Sequence, residues 1–218
     1  MAQGLFVTLE GGEGTGKSTQ IRRLYKLLTE AGYPVVTTRE PGGTDEAEAL
    51  RDLLVRDNGL AWSPIAECLM LFAGRAMHVE TVIRPELAKG TIVISDRFTD
   101  STRAYQGYGL GLSLDTIEQC RALAIGDFEP DLTFILDLPV AEGLRRSTKH
   151  LADTQDEREA GEGRYESGDI DMHERLRDGY LQIARARPGR CHVVDANTDI
   201  DSVTQRLYTE IVKRYKQA

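Results

Sequence analysis

Two hydrophobic rhythms alternate along the chain. Short, nearly unbroken apolar runs occur at Leu5–Leu9, Pro34–Thr38, Thr91–Ser95, Leu132–Leu136 and Cys191–Val194. Runs without polar alternation suit strands covered on both faces, as in a parallel sheet. Between them, apolar residues return at helical spacing and predict helices over 17–31, 45–57, 64–88, 114–126, 140–151, 170–186 and 200–215. Ser63-Pro64 offers the third helix an N-cap and a first-turn proline. Ile200, Val203, Leu207 and Ile211 form one stripe of the last. This order predicts an α/β fold: a five-stranded parallel sheet with helices on both faces. The stretch Asp153–Asp169 breaks the pattern, being acidic, glycine-containing and almost free of aliphatic residues. It reads either as a solvated loop or as a closing lid.

The length of 218 residues suits a single domain over 1–218, and the 40% hydrophobic content is that of a globular chain. No apolar run approaches membrane-spanning length, and the N-terminus lacks a basic region with an apolar signal core. A cytoplasmic location and no membrane partner are therefore expected. Cys68, Cys120 and Cys191 are widely spaced, which suits reduced thiols rather than a disulfide framework or zinc site. A net charge of −8 argues against nucleic acid as a partner.

The chemistry concentrates in Gly11-Gly12-Glu13-Gly14-Thr15-Gly16-Lys17-Ser18, a G-x-x-x-x-G-K-[ST] pattern between a predicted strand and helix. Glycines let backbone N–H groups curl around a phosphate, and the following helix directs its positive end at the anion. Lys17 can reach the β- and γ-phosphates, and the Ser18 hydroxyl suits Mg²⁺. Two strands end in aspartate, at Asp96 and Asp137. Strand carboxyl ends face the ligand crevice in open parallel sheets, so either could assist a metal. Arg97 follows Asp96 and strengthens that case, whereas Asp137, just before Leu138-Pro139 and a helix, reads better as a cap. Arg39 in the turn Thr38–Thr44, and Phe72 with Arg75 one helical turn apart, could hold an anion and a nucleobase. Each also has an ordinary explanation as a loop anchor or a core helix face. A nucleotide-controlled switch of the GTPase kind would show D-x-x-G and N-K-x-D blocks, and the chain has neither.

The block Asp96-Arg97-Phe98-Thr99-Asp100-Ser101-Thr102-Arg103-Ala104-Tyr105-Gln106-Gly107, with the glycine loop and Thr38–Thr44, closely resembles the bacterial thymidylate kinase family. The likeness continues through Gly126–Thr133 and Gly143–Arg146, in order and over nearly the whole chain. It implies a three-layer P-loop kinase fold with a lid near 147–170. The implied reaction moves the γ-phosphoryl group of ATP to dTMP with Mg²⁺, giving dTDP for dTTP synthesis. A kinase for another nucleoside or nucleoside monophosphate is the alternative and would differ at the base pocket. The resemblance assigns Gly11, Gly12, Glu13, Gly14, Thr15, Gly16, Lys17, Ser18 and Arg146 to ATP, with Ser18 and Asp96 on the metal. It assigns Arg39, Pro41, Arg51 and Arg97 to the acceptor phosphate region, and Glu13 to the side of the acceptor sugar. Arg75, Thr102 and Gln106 would meet the base, Phe72 or Leu71 would stack on it, and Tyr105 would crowd the sugar C2′. Lys17, Arg97, Asp96 and Glu13 would take part in catalysis. The loop has no arginine between Gly11 and Lys17, so the lid would supply one, best matched by Arg164. The resemblance also implies a homodimer.

Overall fold

A computed structural model describes residues 4–55, 60–153 and 169–217. Five parallel strands form one sheet: β1 (Leu5–Glu10), β2 (Val35–Arg39), β3 (Ile92–Asp96), β4 (Leu132–Asp137) and β5 (Cys191–Asp195), in the spatial order β2-β3-β1-β4-β5. Each strand side chain alternates faces, so one run of apolar residues feeds two cores. Leu5, Val7 and Leu9 of β1 pack with Ile92, Ile94 and Phe134 against α1 (Lys17–Glu30) and α9 (Ile200–Tyr215) through Leu24, Leu28, Leu207 and Ile211. Phe6 and Val93 face the other way, onto Val79, Ile83, Phe98 and Ile125. Ile135 on that side meets Tyr180 and Ile183 of α8 (Ile170–Ala186). Helices thus cover both faces, and the expected three-layer architecture is present.

The remaining helices are α2 (Asp45–Val55), α3 (Pro64–His78), α4 (Arg84–Ala88), α5 (Thr99–Thr102), α6 (Leu114–Ile125) and α7 (Val140–Asp153). Ser63 caps α3, accepting the Ala66 N–H at 3.4 Å, with Pro64 in the first turn. The span 64–88 is helical throughout, but a five-residue π segment at Val79–Ile83 joins α3 to α4. Pro85 has no N–H for an i→i−4 bond, and the wider turn accommodates that gap. A second π segment, Arg103–Gly109, continues α5. The apolar pattern does not predict this helical stretch, because the side chains it buries are largely polar: Thr99, Asp100, Ser101, Thr102, Arg103 and Gln106. Asp100 and its neighbours form a buried ionic cluster. The Asp100 carboxylate accepts from Arg103 at 2.7 Å and from Arg190 at 2.6 Å, and both arginines also contact Glu129 at 2.7 Å.

The register aligns the strand ends. Asp96 is paired with Leu9 on one side and Arg39 on the other. Glu10, Arg39 and Asp96 therefore end their strands together at the carboxyl end of the sheet, where the glycine loop begins.

Candidate active site

Two glycines explain how the loop after β1 can be so tight. Gly14 has φ 66°, and a Cβ there would lie 2.0 Å from the Gly143 carbonyl oxygen of α7. Gly11 has φ 140°, with the Leu136 carbonyl 2.6 Å from where a Cβ would sit. Only glycine permits both the conformations and the approaches. The loop opens α1 at Lys17, which is 8% exposed and turns back over it. Its Nζ donates to the carbonyl oxygens of Gly11 at 3.1 Å and Gly12 at 2.9 Å, and to Thr15 Oγ1 at 3.4 Å. Burial, and then the nearby Arg97 guanidinium, lower the Lys17 ammonium from its ordinary value to about 8.

Asp96 and Arg97 meet this loop from β3. Ser18 Oγ donates to Asp96 Oδ2 at 3.0 Å, while Asp96 Oδ1 is buried with no hydrogen-bond partner. A serine hydroxyl beside an unsatisfied carboxylate oxygen is a donor set suited to a hard cation such as Mg²⁺. Among the described residues no cluster of three or more His, Cys, Asp or Glu side chains could hold a metal.

Arg97 is the one described non-glycine residue with positive φ, at 69°. Its N–H donates to Leu9 O at 3.0 Å, and its carbonyl oxygen accepts from Ser95 Oγ at 2.8 Å. The guanidinium pairs with Glu13 at 3.2 Å, donates to Gly11 O at 3.1 Å, and lies 4.8 Å from the centre of the Tyr105 ring. Tyr105 OH also donates to Glu13. Although burial opposes it, Arg97 and Lys17 hold the Glu13 carboxyl below its usual range.

A cavity of about 580 Å³ opens above these groups. Glu13 to Ser18, Asp96, Arg97 and Arg146 line it together with Arg39, Pro41, Arg51, Arg75, Thr102, Tyr105 and Gln106. Arg75 is 2% exposed and fixed by Glu40 Oε2 at 2.6 Å and Thr102 Oγ1 at 3.1 Å. Glu40 is braced in turn by His78 at 2.9 Å, and His78 by Thr38 at 2.6 Å. Gln106 donates to Glu67 at 2.9 Å. Arg39 pairs with Glu48 at 3.0 Å, and Arg51 donates to Pro41 O at 2.8 Å next to the cis Glu40–Pro41 bond. Arg146 rests on Glu142 at 2.6 Å and reaches Ala196 O at 3.2 Å, beside Thr198 and Ile200 of the cavity wall.

Two expectations need correction and two lie elsewhere. Phe72 does not line this cavity: it is 2% exposed, packed with Cys68 and Ile117, and the Arg75 guanidinium covers its ring at 4.7 Å. Leu71 lines the cavity instead. Asp137 does not act as a cap, since its two carboxylate oxygens engage Arg177 at 2.7 and 3.0 Å. Gly11 and Gly12 line a smaller space, about 30 Å³, behind the loop between it and α8. Arg164 and most of the 147–170 span lie outside the described residues. Glu40, Glu67 and Glu10 were not singled out by the sequence. A lone glutamate carries no pattern, and each is recognised only by the side chain it meets.

A sequence model of the thymidylate kinase family matches residues 9–207. The thymidylate kinase of Caulobacter vibrioides is 49% identical over 214 residues, covering 98% of this chain and 99% of that protein. That of Geobacter sulfurreducens is 43% identical over 211 residues, covering 97% and 98%. The crystal structure of thymidylate kinase from Ehrlichia chaffeensis superposes with a TM-score of 0.75 at 37% identity, over 96% of this chain and 98% of that one.

Proposed function

The chain belongs to the thymidylate kinase family, and from that premise we propose that it transfers the γ-phosphoryl group of ATP to dTMP, yielding ADP and dTDP. The observation that carries the reading is the composition of one cavity. It joins a glycine loop opening a helix to a wall bearing Arg75, Arg97, Thr102 and Gln106. The first suits a nucleoside triphosphate, the second a nucleoside monophosphate with its base.

The residues act chiefly by positioning and by neutralising charge, which is most of what phosphoryl transfer requires. The ATP phosphates take the loop N–H groups, and Lys17 exchanges the Gly11 and Gly12 carbonyls for phosphate oxygens. Arg146 flanks the donor. On the acceptor side Arg75, Thr102 and Gln106 read the base edge, and Leu71, rather than Phe72, packs on the base. Tyr105 crowds the sugar and disfavours a 2′-hydroxyl. Arg97, with Arg39 and Arg51 nearby, holds the acceptor phosphate so that its oxygen attacks the γ-phosphorus as the bond to the β-bridging oxygen breaks. Ser18 and Asp96 would hold a magnesium ion, which when bound neutralises charge on the donor phosphates. Arg164 is assigned the remaining positive charge, from a lid over 147–170, because the loop itself has no arginine before Lys17. We also assign the chain, as a single domain, to a cytoplasmic homodimer. The exposed stripe Ile65, Leu69 and Met77 on α3 supports the pairing.

The test is an acceptor panel of dTMP, dUMP, dCMP and the ribose analogue of dTMP, with ADP release coupled to NADH oxidation. Preference for dTMP by about tenfold or more over each of the others is expected, since the base edge and sugar are both contacted. Equal turnover of all four would remove the thymidylate assignment while leaving a nucleotide kinase.

A further inference from the structure

Glu10 ends β1 immediately before the glycine loop and is 0% exposed. The Phe98 N–H donates to its Oε1 at 2.8 Å. Ser101 Oγ lies 2.5 Å from its Oε2, and Tyr180 OH of α8 lies 3.4 Å from the same oxygen. Those two hydroxyls are 2.8 Å apart, and each is 3.3 Å from Arg97 Nη1. The carboxyl group therefore touches the backbone just after Arg97 and both hydroxyls that receive the Arg97 guanidinium. A left-handed, non-glycine residue is strained and persists only when its surroundings hold it.

We propose that Glu10 is a positioning residue that clamps the Arg97–Ser101 turn and, through Ser101 and Tyr180, aims the Arg97 guanidinium at the acceptor phosphate. The inference rests on the assignment of Arg97 to that phosphate. Packing alone does not explain a carboxyl group here, because a buried acid costs more than an apolar side chain of equal volume. Burial, and then Asp100, push the carboxyl up to about 8. Its Oε1 accepts from Phe98, and its Oε2 accepts from Ser101 Oγ and Tyr180 OH. Arg97, Asp100, Lys17, Tyr180 and Cys191 are the other ionisable groups that sense it.

That chemistry separates two substitutions of similar size. In Glu10→Gln the amide oxygen still accepts from Phe98, and the amide nitrogen donates to Ser101 once that hydroxyl turns toward Tyr180. Glu10→Met keeps the volume and loses both bonds. With ATP saturating at pH 7, Glu10→Met should raise KM for dTMP about tenfold, with KM for ATP within about twofold. Glu10→Gln should restore KM for dTMP to within about threefold of the parent. An unchanged KM for dTMP in Glu10→Met, a parallel rise in both KM values, or a Glu10→Gln as impaired as Glu10→Met would each overturn the clamp. If circular dichroism finds Glu10→Met unfolded, Tyr180→Phe is read instead. It keeps the ring, removes one relay hydroxyl, and should raise KM for dTMP about threefold. No change there overturns the relay. A parent enzyme inactive on dTMP would refute the thymidylate reading itself, whereas an active parent with an unaffected Glu10→Met refutes the clamp alone.

Discussion

Lys17 shows how a single buried ammonium can carry both binding and pH dependence. Its pKa of about 8 reflects burial and, next, the neighbouring Arg97 guanidinium, which together outweigh Asp96 and Glu13. Phosphate oxygens would favour the charged form and raise it again. ATP should therefore bind with proton uptake above pH 8, and its affinity should fall as pH rises through 8 to 9, by up to about tenfold per pH unit. Calorimetry at pH 7, 8 and 9, in buffers of different ionisation enthalpy, checks both the affinity and the proton count; a flat profile contradicts the assignment. Residues such as Lys17, Ser18, Asp96 and Arg97 were legible in the sequence because each stands in a local pattern whose spacing carries the chemistry. Glu10, Ser101 and Tyr180 were not. Their contacts join residues 91 and 79 positions apart, and nothing local marks them.

At the scale of elements, apolar spacing located the five strands and the seven long helices to within a few residues. It missed α5 and the π segment after it because their buried face is polar. Periodicity detects a face turned to hydrocarbon, not one turned to a polar cavity. The same limit explains Phe72 and Leu71: adjacent helix positions point about 100° apart, so a one-residue difference decides which reaches the cavity and which enters the core. The contact between the glycine loop and α7 is also tertiary. Gly14→Ala should place a methyl group against Gly143, at a backbone angle alanine disfavours, so the loop must move. We expect a loss of more than about tenfold in kcat/KM with ATP, larger than the thermal destabilisation of about 1–3 kcal/mol would explain. Steady-state kinetics alongside a thermal melt separates the two; normal kinetics would mean that the loop tolerates the displacement.

For the whole molecule, alternating strands and helices implied a parallel sheet, but the order β2-β3-β1-β4-β5 comes only from the structure. That order sets β1 beside β3, and so the glycine loop beside Asp96 and Arg97. The ionic cluster around Asp100 links α5, α6 and the residues leading into β4 and β5, and no sequence pattern announces it. Asp100→Asn would leave Arg103 and Arg190 short of a buried counter-charge and should cost about 3–5 kcal/mol. Urea unfolding measures that loss, and a variant within about 1 kcal/mol of the parent would show the cluster to be dispensable.

The Arg97–Glu13 pair has a consequence for how the enzyme was able to fold at all. Cations gathered to meet two highly charged nucleotides would repel one another in a protein waiting for them. Here Glu13 beside Arg97, and the Gly11 and Gly12 carbonyl oxygens beside Lys17, act as understudies for the nucleotides proposed above. Binding then becomes a change of cast rather than the filling of a vacancy. Selection must keep each understudy good enough to let the protein fold, and poor enough to yield its place.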